Sequence, residues 1–217
     1  MPHLFFIFRD PHYLDWAKPY FKIGLRQHHL SSIRNIDILD NDFNNPDEVD
    51  FRRLLDQYSP AWAIAPDLFV PQDLAGALQL IKDYPHTRFI LVPKYDCVRE
   101  IPREVILGYP MSTAFGGNFP LKWFLDRPVH LLGGTPIAQR KKALFLDVVS
   151  LDCNNFTKVG LRSWKAFHAQ APHWRQHPEL TQKQLFELSC AEIKRYWEIP
   201  IPKLKKLSSI QAPRPGK

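Results

Sequence analysis

Acidic, basic and glycine residues follow the apolar segments of this 217-residue chain at regular intervals. Paired carboxylates can divide a reaction between a nucleophile and a proton donor, and a basic residue can hold an anionic or polar substrate. Glycines in such positions let the backbone approach a ligand closely. The candidate set, in chain order, is Asp10, Asp40, Asp42, Asp67, Lys94, Gly108, Gly133, Gly134 and Asp152.

Asp152, in the run Val-Val-Ser-Leu-Asp-Cys-Asn, is the best single candidate for a catalytic residue. A carboxylate directly after an apolar strand is either a helix cap or a functional group, and Asn154 or Asn155 could supply the cap instead. Asp67 has the same placement, although it could equally cap a turn before Pro71. The sequence therefore predicts a catalytic role for Asp152 and a possible second acid in Asp67.

The Gly133-Gly134 pair precedes Thr135-Pro136, a good helix start with a hydroxyl at the cap and proline at the first helical position. A helix N-terminus attracts negative charge, so this segment could hold a ligand. A plain tight turn explains the same glycines.

Strand-length apolar runs and helical patterns alternate along the chain. The runs are Leu4–Phe8, Ile36–Leu39, Trp62–Ala65, Phe89–Val92, Val105–Leu107, Val129–Leu132 and Asp147–Leu151. One predicted helix begins at an Asp73 cap and ends near Tyr84. Three others cover residues 137–146, 156–169 and 181–197, and the last has Thr181 and Gln184 at capping-box spacing. This alternation predicts a parallel α/β sheet, open or closed as a barrel, with its active site at the carboxyl ends of the strands.

Composition excludes several classes of protein. Hydrophobic residues make up 45% of the chain, which argues against general disorder and fits a single fold. The three cysteines and scattered histidines show no metal-ligand spacing, so we expect neither a metal nor a cofactor. The short apolar run near the N-terminus suits a buried strand better than a signal or membrane span. We therefore expect a cytoplasmic protein.

Positive charge is concentrated in the C-terminal third. Residues 1–139 hold 14 Lys and Arg against 16 Asp and Glu, whereas residues 140–217 hold 15 against 6. Clustered cations interleaved with aromatic residues are typical of a nucleic-acid partner, although a solvated basic face gives the same pattern. The predicted contacts are Arg140, Lys141, Lys142, Lys158, Arg162, Lys165 and Arg175. We divide the chain into a barrel-like catalytic domain, residues 1–170, and a basic helical extension, residues 171–217, with a flexible tail from residue 203.

The segment from Leu131 to Pro136, the following helix and the strand ending at Asp152-Cys153 resemble the closing part of the tRNA-guanine transglycosylase barrel. In that family an aspartate at this strand end is the nucleophile, and Asp152 falls on it. The resemblance covers roughly residues 36–165 and implies a shortened (β/α) barrel of the TIM type.

The resemblance also assigns roles to the earlier strand ends. Asp67 matches an aspartate that reads the Watson–Crick edge of the base, and the backbone of Gly108 matches a glycine that touches it. Lys94 takes the place of a base-binding glutamine, with Gly133 and Gly134 beside it. The earlier acid of the family corresponds to Asp10, Asp40 or Asp42, which the sequence leaves open.

The chain is much shorter than the tRNA enzymes and lacks their zinc-binding cysteines, so it is more similar to the reduced transglycosylases that insert a deazaguanine into DNA. The resemblance implies exchange of guanine for a deazaguanine in DNA, with tRNA as the alternative substrate. Two rival interpretations are a hydrolase of N-glycosidic bonds and a non-catalytic nucleic-acid-binding protein on a degenerate barrel. Whether the chain forms a homodimer or requires an accessory subunit stays open.

Overall fold

The computed structural model describes residues 1–8, 10–28, 33–112, 120–153 and 162–202. Eight parallel strands form a closed barrel, which confirms the predicted α/β barrel and decides between an open and a closed sheet. The strands are β1 (His3–Ile7), β2 (Lys22–Arg26), β3 (Ile38–Asp40), β4 (Trp62–Ile64), β5 (Arg88–Leu91), β6 (Ile106–Pro110), β7 (Pro128–Leu132) and β8 (Asp147–Asp152).

Each strand pairs with its neighbours in chain order, and β8 closes the barrel on β1, with Phe5 opposite Asp152. Alternation along each strand divides the residues between two layers. Phe5, Ile38 and Trp62 belong to the cluster inside the barrel, whereas Phe6 and Leu39 belong to the larger core beneath the helices. Because all carboxyl ends of the strands lie at one end of the barrel, that end collects the strand-end residues.

Helices cover the outside of the barrel where the chain supplies an amphipathic face. They are α1 (Pro11–Ala17), α2 (Glu48–Tyr58), α3 (Pro71–Asp83), α4 (Pro136–Ala143) and α5 (Gln182–Glu198). The predicted caps at Thr135 and Thr181 are confirmed, since each hydroxyl accepts a backbone N–H three residues on. Asp73 is not the first cap of α3 as predicted. It lies three residues inside the cap, and its carboxylate accepts the backbone N–H groups of Phe69 and Val70.

All seven predicted strands are present, but the sequence missed β2. The residues of β2 that face the inside of the barrel are Lys22, Gly24 and Arg26, so only Ile23 and Leu25 are apolar. No continuous apolar run therefore marks this strand in the sequence. A Cβ on Gly24 would lie 2.5 Å from Cγ2 of Ile38, which shows how closely the interior packs at this glycine.

In the described part of the helix predicted over residues 156–169, residues 162 and 163 are helical, but the residues after them are not. Lys165–His168 form strand β9, which pairs antiparallel with β10 (His173–Gln176) in a small hairpin. The hairpin crosses the expected domain boundary at residue 170, and α5 follows it. Phe186 of α5 packs against Phe6 of β1 and Tyr13 of α1. The basic region thus contains a hairpin as well as a helix, and it packs directly on the barrel.

Within the ranges that the structure covers, no helix is both long and apolar enough to cross a bilayer.

Candidate active site

Two ion pairs lie at the carboxyl end of the barrel. The Arg26 guanidinium at the end of β2 contacts the Asp40 carboxylate of β3, with Nε 3.2 Å from Oδ2. After β4 and β5, Lys94 Nζ lies 3.0 Å from Oδ2 of Asp67, and these two side chains are 8% and 13% exposed. Four charged groups from four neighbouring strands thus share one end of the barrel. Buried charges are retained at such positions only when they are paired, as here.

Asp40 is the most perturbed acid of the site. Burial raises the pKa of its carboxyl from 3.8 to about 7, Arg26 opposes that rise, and the charges of Asp152 and Asp67 add to it. Burial likewise raises the pKa of Asp67, with Lys94 opposing. Because Asp40 responds to the charge of both other acids, the three carboxylates belong to one electrostatic cluster. A carboxyl that titrates near neutrality can both donate and accept a proton.

Asp152 is held between the backbone of β7 and a buried histidine. The Gly133 N–H donates a short hydrogen bond to Oδ1 of Asp152. On the other side, Oδ2 lies 4.0 Å from Nε2 of His130, a residue with no exposed surface, while the Asp152 side chain is 19% exposed. The Asp152 carboxylate is therefore oriented by Gly133 and His130. It can still be reached from the carboxyl end of the strands, which is the mouth of the barrel.

The backbone conformation of the turn after β7 favours glycine at two positions. Gly133 and Gly134 have φ values of 63° and 88°, where side chains other than glycine are strained. A Cβ on Gly134 would also lie 2.7 Å from Cβ of Met111. Gln139 of α4 fixes the turn, since its amide donates at 2.7 Å to the carbonyls of both Gly133 and Asp152. This turn presents the amide that binds Asp152.

Gly108 lies lower in the barrel than the other predicted base-binding residues. It pairs with His130 inside the strand ladder, two residues before β6 ends. A Cβ there would lie 2.7 Å from Val92 and 3.0 Å from Leu132. The structure therefore gives Gly108 a packing role beneath the mouth.

The three candidates for the earlier acid have different surroundings. Asp10 caps α1 by accepting the backbone N–H of His12, and Asp42 accepts the N–H of Asn44 in a turn. Only Asp40 of the three lies in the cluster with Asp67 and Asp152.

The predicted nucleic-acid contacts do not form one surface at the mouth. Helix α4 starts at the carboxyl end of β7 and returns toward β8, so its last turn, with Arg140, Lys141 and Lys142, lies toward the opposite end of the barrel. Arg140 donates to the carbonyl of Tyr196 and stacks over its ring, 4.5 Å from the centroid, and thus fastens α4 to α5.

The remaining predicted contacts lie on α4, on or just before the hairpin, and in an undescribed segment. Lys142 lies over the Tyr109 ring, at 5.1 Å, and Lys141 is exposed. Arg162 and Arg175 are exposed, and Lys165 is half-buried in β9. Lys158 and the tail from residue 203 lie outside the described residues.

The sequence missed Arg26 and underrated His130. No continuous apolar run marks the strand of Arg26, and His130 belongs to no motif of ligand spacing in the sequence. The signal for His130 is period-two alternation: Ser150 and Asp152 occupy alternate positions of β8, and His130 pairs with Ser150 on the neighbouring strand. Buried polar groups of neighbouring strands that meet in this way are candidates for a functional site.

A cavity lies at the other end of the barrel, where the strands begin. It has a volume of about 810 Å³ and is lined by the first residues of several strands, among them His3, Trp62 and Arg88, together with Trp197 in the last turn of α5. We give more weight to the carboxyl end, because the perturbed and paired ionisable groups lie there. No group of three metal-ligating side chains occurs among the residues that the structure describes.

A search of the curated proteins finds no significant match. The model of one protein family covers most of the chain, from β2 to the last residue of α5. Strand β1 lies before the matched region although it closes the barrel between β8 and β2. The chain belongs to the family of unknown function DUF6610, whose model matches residues 20–198.

Proposed function

We propose that this protein is a pentosyl-transferring enzyme that exchanges guanine for a deazaguanine in DNA, with RNA as the alternative polymer. The observation that carries the proposal is the carboxylate cluster at the mouth, in which burial and the neighbouring Asp152 and Asp67 raise the pKa of Asp40 to about 7. Cleavage of a glycosidic bond commonly uses two carboxyl groups, one that attacks the sugar and one that protonates the leaving group.

In the first step an oxygen of the Asp152 carboxylate attacks C1′ of the target nucleotide. The bond between C1′ and the base nitrogen breaks, and its electron pair leaves with the base. Protonated Asp40 donates its proton to that nitrogen, so the base departs neutral and Asp40 becomes a carboxylate. The product is a glycosyl ester of Asp152.

In the second step a deazaguanine enters the vacated position. Its ring nitrogen loses a proton to the Asp40 carboxylate and attacks C1′, and the ester bond to Asp152 breaks. Both acids return to their starting states, and no water is consumed. Arg26 keeps Asp40 oriented throughout, through the 3.2 Å contact.

Asp67 and Lys94 are the proposed holders of the base. A carboxylate accepts the ring and exocyclic N–H groups of guanine, and an ammonium donates to its carbonyl oxygen. The 3.0 Å pair presents both kinds of group side by side. We assign the backbone turn at Gly133 and Gly134 to the positioning of Asp152, since the Gly133 amide is already bonded to that carboxylate.

A base must leave the duplex to reach this mouth, at a cost of a few kcal/mol. Two exposed cations, Arg162 before the hairpin and Arg175 on it, are the described residues best available to hold the distorted strand. The cytoplasm is the proposed compartment, in keeping with the three cysteines, Cys97, Cys153 and Cys190, which are buried and form no disulfide.

The test is incorporation of a labelled deazaguanine into DNA by the full chain. We expect label in the polymer and release of one guanine for each base incorporated, and a covalent complex with DNA that survives denaturation. Asp152→Asn removes the nucleophile at nearly constant volume and should abolish both signals. Release of guanine without incorporation would indicate a hydrolase, and DNA binding equal in wild type and variant with no released base would indicate a binding protein. Either result would overturn the proposal.

A further inference from the structure

Beneath the mouth, His130 forms a buried link between a hydroxyl and the candidate nucleophile. Nδ1 of His130 lies 2.9 Å from Oγ of Ser150, and Nε2 faces Oδ2 of Asp152 at 4.0 Å. Neither His130 nor Ser150 has any exposed surface. Nε2 has no hydrogen-bond partner among the described residues, and a buried polar atom left in this way calls for an explanation.

In the neutral imidazole the hydrogen bond to Ser150 can form in two ways. If Nδ1–H donated to Oγ, Nε2 would carry a lone pair directed at a carboxylate, which is repulsive. If the Ser150 hydroxyl donates to Nδ1, Nε2 carries the hydrogen and its dipole is directed favourably at Asp152. The elements against His130 also include β1 and β6, which present the Phe5 ring, 6.1 Å from the imidazole, and the backbone of Gly108. Neither offers a side-chain acceptor that would favour the other tautomer.

We propose that Ser150 fixes His130 in the Nε2–H tautomer, and that His130 is a positioning residue that stabilises the Asp152 carboxylate each time its charge is restored. This inference rests on the proposed function. The 4.0 Å distance is too long for a hydrogen bond in the resting protein, but a shift of about 1 Å closes it.

Such a shift requires only a small rotation of the Asp152 carboxylate about its Oδ1 atom, which the Gly133 amide holds. In the glycosyl ester Asp152 is neutral. When the entering base attacks C1′, negative charge returns to the departing carboxylate, and the Nε2–H group is already directed at it. His130 therefore contributes mainly to the second step, the breakdown of the covalent intermediate.

A matched pair of substitutions separates this role from packing. The side-chain amide of His130→Gln reaches the position of Nε2, whereas that of His130→Asn reaches only the position of Nδ1. We expect His130→Asn to slow breakdown of the covalent complex by roughly tenfold or more, the scale of losses when an orienting group outside the reacting atoms is removed. His130→Gln should remain closer to wild type. Equal losses in the two variants would overturn the inference.

A second measurement needs no activity. Nitrogen-15 NMR of the histidine rings, with His130 assigned by its absence in His130→Gln, reports the tautomer directly. We expect the Nε2–H form in the wild type and a shift toward the Nδ1–H form in Ser150→Ala, a small change that a stable barrel should tolerate. An Nδ1–H form in a wild type that exchanges bases would overturn the inference alone. The expected tautomer in a protein that shows no base exchange would instead remove the proposed function and leave the link from Ser150 to Asp152 standing.

Discussion

The two ends of this barrel are built from opposite chemistry. At the carboxyl end of the strands, Arg26, Asp40, Asp67 and Lys94 form two ion pairs beside Asp152. At the amino end, a cavity of about 810 Å³ is lined largely by apolar and aromatic side chains such as Trp62, Phe89 and Trp197. The carboxyl end thus contains interacting charged groups, and the amino end contains a cavity.

The contrast teaches that cavity volume and chemical capacity are different properties. A void can persist at an end that packs poorly, whereas burying three acids together opposes folding and persists only where the groups have partners or a task. The raised pKa of Asp40 measures that opposition.

After loss of the nucleophile in Asp152→Asn, the largest effect is expected from Asp40→Asn on base exchange. Asparagine occupies nearly the same volume but cannot deliver a proton to the leaving base, and loss of a general acid typically costs 10²- to 10⁴-fold in rate. The measurement is the initial rate of guanine release at several pH values near 7. The matched control is Asp42→Asn, whose carboxylate only accepts a backbone N–H in a turn. Similar losses in both variants would contradict the assignment of the proton donor to Asp40.

The same substitution should change how stability depends on pH. Asp40 has a pKa near 3.8 when unfolded and about 7 when folded, so the folded state binds the proton more tightly. Its contribution is therefore fully present below pH 4 and is lost as pH rises through 7, by about 4 kcal/mol at most. In Asp40→Asn this part of the decline should vanish, which urea unfolding at pH 5 and pH 8 would detect. An unchanged pH dependence would show that Asp40 is better solvated than its burial indicates.

Close packing inside the barrel can be tested with a pair of glycines. Gly24→Ala places a methyl group 2.5 Å from Cγ2 of Ile38 and 2.6 Å from Cγ1 of Ile7, so we expect a loss of about 1–3 kcal/mol in unfolding free energy. Gly76→Ala meets nothing within 4 Å on α3 and should instead stabilise the protein by about 0.5–1 kcal/mol. Denaturant midpoints measure both. Destabilisation by the two alanines alike would contradict this view of the interior.

The smallest effect is expected from Arg88→Gln at the amino end. The Arg88 guanidinium lies over the Trp62 ring, 5.5 Å from its centroid, in an exposed position where such a contact contributes about 0.5–1 kcal/mol. We expect a slightly lower melting temperature and an unchanged rate of base exchange. A tenfold loss of rate would move the chemistry to the apolar end of the barrel and reverse the comparison.

Much of the fold follows from local patterns in the sequence. Seven strands are marked by apolar runs, and the starts of α4 and α5 are marked by Thr135-Pro136 and by the capping box at Thr181. These signals are local because a parallel strand buried on both faces needs apolar residues throughout, and a helix start needs a side-chain acceptor within three residues. Strand β9 was mistaken for a helix because an apolar pair flanked by polar residues suits either structure.

The sequence by itself determined the alternating α/β order and the charged residues at the strand ends, including Asp67, Lys94 and Asp152. Only the tertiary structure decided that the sheet closes and that Arg26 belongs to the site. It also decided that Asp40 differs from Asp10 and Asp42, and that Arg140 fastens α4 to α5. Strand ends are recognised from residues that are close in the chain. The burial, ion pairs and pKa of a side chain depend instead on which residues from distant strands meet, and closure of the barrel sets those neighbours.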